Sequence, residues 1–168
     1  MRCQVALVAQ EPFLLAGTVV QNIAWARPGA SVDDVRAAAE AVDALEVFER
    51  LPNGLHTEVG ERGERLSGGQ RQLVSLARAI IIDPRILVLD ESTSSIDVAT
   101  EARVQRGLAR LLGGRTSLVI AHRLSTIRGA DRVVVLQSGR VVEQGSPQDL
   151  RAAGGHFAQL EAESERLA

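Results

Sequence analysis

The sequence predicts an α/β fold built on a mostly parallel sheet, and three observations predict it. Short apolar runs such as Ile86-Leu87-Val88-Leu89 have the unbroken hydrophobic character of strands buried on both faces of a parallel sheet. Longer stretches repeat their apolar residues at helical spacing. The two kinds of segment alternate along the chain, the pattern of an α/β sheet that takes its ligands at the carboxyl ends of its strands.

The elements follow in order. A strand-like run leads through Val5 and Val8 to Gln10. Ser31 opens Ser-Val-Asp-Asp, a capping box with a carboxylate at the third helical position. Val35, Ala38, Ala39, Val42 and Leu45 then continue one apolar face to about Phe48, which predicts a single helix there. Pro52, Gly54, Gly60 and Gly63 mark an irregular connection. A second helix starts near Ser67-Gly68 and carries Leu73, Leu76, Ala77 and Ile80 until Pro84 stops it. After the Ile86–Leu89 strand, Asp97 can cap a third helix with Val104, Leu108 and Leu111, ended by Gly113-Gly114. Ser117–Ile120 and Arg132–Leu136 read as two more strands, and Ser138-Gly139 as a hairpin turn into Val141-Val142. Ser146-Pro147-Gln148-Asp149 is another capping box, with proline at the first helical position.

Composition narrows the function. With 168 residues, 45% of them hydrophobic and 24% charged, the chain is one ordinary globular domain, and disordered and fibrous classes drop out. No apolar run approaches the roughly 18 residues of a membrane-spanning helix. The net charge of -2 gives no electrostatic case for nucleic-acid binding. One cysteine, Cys3, cannot form an internal disulfide, and no basic-then-apolar export signal opens the chain. A soluble cytoplasmic domain is the expectation. All 19 cationic residues are arginine, so any chemistry that needs a lysine must borrow it from another chain.

Four features carry candidate phosphate chemistry. Leu66-Ser67-Gly68-Gly69-Gln70 heads a predicted helix, where unpaired N–H groups and the Ser67 hydroxyl can hold an anion; a plain serine cap is the simpler alternative. Asp90 and Glu91 end a strand. Asp90 can hold a Mg²⁺ and Glu91 can polarise a water for attack on a phosphoryl group, or both merely end the strand. His122 follows the Ser117–Ile120 strand on the same sheet edge, able to reach a γ-phosphate or orient Glu91, or to serve structure alone. Gln10 can touch both a Mg²⁺ shell and an attacking water. His56 and His156 read as surface residues.

In this order and spacing the four features resemble the nucleotide-binding domain of ABC transporters over nearly the whole chain. Leu66–Gln70 is similar to the signature motif, Ile86–Glu91 to the Walker B strand with its glutamate, and Ser94-Ser95-Ile96-Asp97 to the D-loop. Gln10 stands at the Q-loop position and His122 at the H-loop position. The stretches from Gln10 to Ile23, Thr57 to Gly63 and Gly139 to Gly145 resemble those of exporters. Leu15, Ser92, Ser95 and Ile96 are mild departures. The resemblance implies a P-loop NTPase-like sheet with a helical signature subdomain at about 24–83, the rest of the α/β core at 84–150 and a helical tail at 151–168. It implies ATP and Mg²⁺ as ligands: Glu91, His122 and Gln10 catalytic; Ser67, Gly68, Gly69, Gln70 and Asp97 on ATP; Asp90 and Gln10 on the metal. Its implied partners are a second ABC ATPase domain, identical or not, and an exporter's transmembrane domain, with no nucleic acid, at the cytoplasmic face of the membrane.

The family's phosphate loop, Gly-x-x-x-x-Gly-Lys-Ser/Thr, does not occur in these 168 residues. Gly113-Gly114-Arg115-Thr116-Ser117 is no substitute: Ala109 stands where the first glycine belongs, and it leads into a strand. The expectation is a chain starting downstream of that loop, from an internal start or a truncated gene model, and missing the phosphate-loop strand and helix. The resemblance implies that this strand belongs between the strand leading to His122 and the Val133–Leu136 strand; without it the two either close up or leave a gap. ATP hydrolysis coupled to export is the implied activity, with little turnover by the chain alone. The alternatives are a non-hydrolysing module lending its signature to a complete partner, and a gene remnant.

Overall fold

The computed structural model describes residues 4–90, 98–121 and 124–167. They form two compact units, 1–120 and 121–168. In the first, β1 (Val5–Val8), β2 (Ile86–Asp90) and β3 (Thr116–Ile120) make a parallel sheet in the order β1-β2-β3. The register pairs Val8 with Leu89 and Asp90 with Ile120, so all three strands end at one edge.

One face of this sheet is covered. Ala6, Val8, Leu87 and Leu89 are buried in a core with Leu73 and Leu76 of α4 (Gly68–Ile82) and Val104, Leu108 and Leu111 of α5 (Val98–Leu112). On the other face Leu7 is 67% exposed, Leu118 64%, Ile120 54% and Ile86 40%. The expectation that the Ile86–Leu89 strand is buried on both faces is therefore wrong. Strand side chains alternate, and α4 and α5 lie on the side of Leu87 and Leu89.

The first predicted helix is also corrected. It divides into α2 (Val32–Ala41) and α3 (Leu45–Glu49), after α1 (Val19–Ala24). Asp43 adopts a left-handed φ of 59° between them. The break has a tertiary cause. A Cβ on Gly107 of α5 would lie 2.5 Å from the Val42 carbonyl oxygen, so the two backbones touch at the turn. Asp43 also faces Arg106 at 2.9 Å. Ser31 caps α2 as predicted, and the Arg27 guanidinium, with Ser31, holds the Asp34 pKa at about 2.

The second unit contains α6 (Leu124–Arg128) and an antiparallel hairpin of β4 (Val133–Gln137) and β5 (Arg140–Gly145), turned at Ser138-Gly139. Two helices follow, α7 (Pro147–Ala153) and α8 (His156–Leu167). β3 and β4 belong to different sheets. Ser146 accepts from the Asp149 N–H, with Pro147 opening α7, as predicted.

Glu143 of β5 caps α8, accepting from the His156 N–H at 2.7 Å and the Phe157 N–H at 2.9 Å. These donors, Phe157 first, hold its carboxyl below the ordinary glutamate value of 4.5. The folded state therefore favours the carboxylate. Its stabilisation is complete above the unfolded value and is lost as pH falls through the lowered one. Amide-exchange protection at Phe157 is expected to fall below about pH 4.5 in the wild type. In Glu143→Gln that acid-dependent loss should vanish; an unchanged acid limb counts against the cap.

Candidate functional site

The carboxyl edge of the parallel sheet gathers two of the predicted site residues. Asp90 is the last residue of β2 and is half-buried. Gln10 lies two residues past the end of β1, exposed, beside it in the sheet order. Each is where a parallel sheet presents ligand-binding groups. Glu91, Asp97 and His122 lie outside the described residues. No group of three or more His, Cys, Asp or Glu that could hold a metal occurs among the described residues.

The glycine-rich turn forms the start of α4, as its sequence predicts. Ser67 accepts from the Gln70 N–H at 3.2 Å, and Gln70 Oε1 accepts from the Ser67 N–H at 2.9 Å. This reciprocal cap ties Gln70's side chain to the helix start. It leaves the Gly68 and Gly69 N–H groups without an intrahelical acceptor, and Ser67 is exposed. Donors without an intrahelical acceptor stand at the positive end of a fifteen-residue helix, the arrangement that favours an anion, with Gly68 half-buried and Gly69 buried.

A third feature has no local sequence signal. Arg78 on α4 donates through Nε to the Asn22 carbonyl at 2.6 Å, and its other nitrogens reach the Phe13 carbonyl and Asn22 Oδ1. Its guanidinium lies over the Trp25 ring, 5.9 Å from the centroid. Asn22, 1% exposed, bonds in turn to Leu15 and Thr18. Together the two side chains knit the segment after Gln10 onto α4. Their partners are 56 and 65 residues from Arg78 in sequence, which is why periodicity does not expose the pair. The capping box Thr18-Val-Val-Gln21, which starts α1, was readable.

Above this scaffold Phe13 (65%) and Trp25 (66%) project to the surface. With Leu7, Leu15, Arg78 and Ile82 they line an open, mostly apolar groove of about 390 Å³. Phe13 is thus not a core residue. Backbone bonds from Val19 to Thr57 and from Val59 to Gly17 link this stretch to the Thr57–Gly63 loop. No described helix is long and apolar enough to cross a membrane.

The chain resembles known proteins along most of its length. The family model described as ABC transporter matches residues 1–94. The chain is 51% identical over 160 residues to the uncharacterized ABC transporter ATP-binding protein YknV of Bacillus subtilis, covering 95% of this chain and 26% of that protein. It is 50% identical over 161 residues to an ATP-dependent lipid A-core flippase of Methylobacillus flagellatus, covering 95% of this chain and 28% of the flippase. A solved structure of a bacterial Atm1-family ABC exporter with ATP bound superposes with a TM-score of 0.85 at 42% identity, over 95% of this chain and 28% of that one. The chain spans about a quarter of the length of these relatives.

Proposed function

This chain belongs to the ABC transporter family, and from that membership we propose that it is the signature-bearing part of an exporter's ATPase domain, working with a complete second domain. The observation that supports the proposal is the pairing of two features in one folded unit: the glycine-rich start of α4, whose Ser67 is exposed, and the sheet edge holding Gln10 and Asp90. The unit has the P-loop NTPase-like α/β fold.

ATP with Mg²⁺ supplies the transferable phosphoryl group and the driving energy when bound. Asp90's carboxylate and Gln10's exposed amide are oxygen donors suited to Mg²⁺, an ion that keeps waters and phosphate oxygens in most of its shell. Glu91 is proposed to accept the proton of the attacking water, with Gln10 and His122 orienting the reacting groups. Ser67, Gly68 and Gly69 donate to phosphate oxygens across the dimer, Gln70 holds that turn in shape, and Asp97 lies at the same interface. The proposed division is a helical subdomain at about 24–83, α/β core at 84–150 and a helical tail at 151–168.

Export requires a membrane partner. The groove of Phe13 and Trp25 offers it an apolar seat, placed beside Gln10 so that docking and the phosphate edge share one segment. The chain then works at the cytoplasmic face of the membrane, held there by that partner, with no role for nucleic acid.

A second reading is a non-hydrolysing module that lends its signature in trans, since these 168 residues hold no phosphate loop and no lysine. Both readings require the signature to work across an interface, and sedimentation tests that. Mixed with a complete exporter ATPase domain, the chain is expected to form a heterodimer only with ATP present. Ser67→Arg should abolish it. Failure of the folded wild-type chain to associate would sink both readings.

A further inference from the structure

The small hollow beside Asp90 lies where α4, α5 and the carboxyl ends of β1 and β2 meet. Val8, Leu76, Leu89 and Val104 give it an apolar wall, yet Gln72, Gln105 and Asp90 also open onto it. The Nε2 of Gln105 is buried and has no hydrogen-bond partner. Gln72 is only 8% exposed, and none of the hydrogen bonds among the described residues involves its side chain. The Gln105 amide nitrogen thus lacks a partner at this cavity, and Gln72 of the other helix lines the same wall.

Folded proteins rarely leave a buried amide unmatched, and bound water is the usual remedy where a cavity is polar enough. A water needs roughly 10–15 Å³ of such space and two to four polar partners. The hollow has about 20 Å³ and three polar residues on its wall, so it takes one water and nothing larger. Water both donates and accepts, and therefore satisfies both amides whichever way each is turned.

We propose that a single water molecule is bound between Gln72 and Gln105 beneath Asp90, tying α4 to α5 and to the end of β2. The glycine-rich turn begins the same helix one turn before Gln72. The water thus makes the signature helix and the Asp90 edge parts of one rigid body. That functional consequence rests on the roles proposed above for Ser67 and Asp90; the hydration site itself does not.

The test needs no nucleotide and no partner, so it can fail independently of the proposed function. In the folded chain, the Gln105 side-chain amide protons should show a direct cross-relaxation peak to water, separated from exchange by its sign in the rotating frame. Gln72→Met should remove that peak. Denaturant unfolding supplies the second arm. Gln72→Met and Gln105→Met should each lower the folding equilibrium constant about tenfold, because each removes one side of the shared water site, and the double variant should lose no more than one single. Additive losses of about a hundredfold overturn the shared site. So does a wild-type Gln105 amide that shows contact to Gln72 and none to water.

Discussion

Purified and folded, the 168-residue chain is expected to release phosphate from ATP no faster than its own Glu91→Gln variant. Phosphoryl transfer offers the protein little covalent chemistry; catalysis is almost entirely positioning and charge stabilisation. In this family's scheme a phosphate-cradling loop and its lysine do most of that, and these residues contain neither the loop nor any lysine. Removing even one preorganised donor from such a site costs about a hundredfold to a thousandfold in rate. Without a cradle in these 168 residues, the groups proposed for Asp90, Glu91 and Gln10 to act on are not held in place. A coupled phosphate-release assay with and without Mg²⁺ decides the matter. Mg²⁺-dependent turnover abolished by Glu91→Gln would mean that the fold has found another cradle, and the account of a shared site would have to be abandoned.

The largest expected effect on stability comes from Arg78→Met. The side chain is half-buried, and desolvation pushes its pKa below the ordinary arginine value. What holds it there is a set of neutral acceptors, the Phe13 and Asn22 carbonyls and Asn22 Oδ1, with the Trp25 face beneath. Methionine keeps much of the volume and removes every donor, so the part-buried Asn22 carbonyl and the Phe13 carbonyl lose this partner. A loss of about 2–3 kcal/mol is expected by denaturant unfolding. Arg78→Lys should recover little of it, because an ammonium cannot reach three acceptors in a planar fork. The sole tryptophan, Trp25, gives a local readout: its quenching by acrylamide should rise in both variants even without denaturant. A stability within about 0.5 kcal/mol of wild type would show that Arg78 is an ordinary surface residue.

These two expectations draw on different kinds of information. The ATPase prediction was legible in the sequence, because a phosphate loop is a local pattern and its absence from a stretch of chain can be read directly. The Arg78 prediction was not. Nothing around Arg78 in the helix that carries Leu73, Leu76 and Ala77 distinguishes a groove-lining guanidinium from a solvated one. Its meaning comes from Phe13 and Asn22, brought to it by the packing of α1 on α4.

The same division runs through the fold. Helix starts at Ser31, Ser67 and Ser146 were decided within four residues, since a capping serine and its helix's first turn are neighbours in the chain. The alternation of strands and helices was settled by side-chain period, again a local property. The tertiary structure alone decided three things. It broke the first predicted helix at Asp43, where α5 brings Gly107 against the Val42 carbonyl. It covered one face of the parallel sheet and left Leu7, Leu118 and Ile120 exposed on the other. It turned Gln72 and Gln105, from helices distant in sequence, toward one hollow beneath Asp90. Periodicity tells a chain which residues want burial, but what buries them depends on which other segments arrive, and that is fixed only when the chain packs.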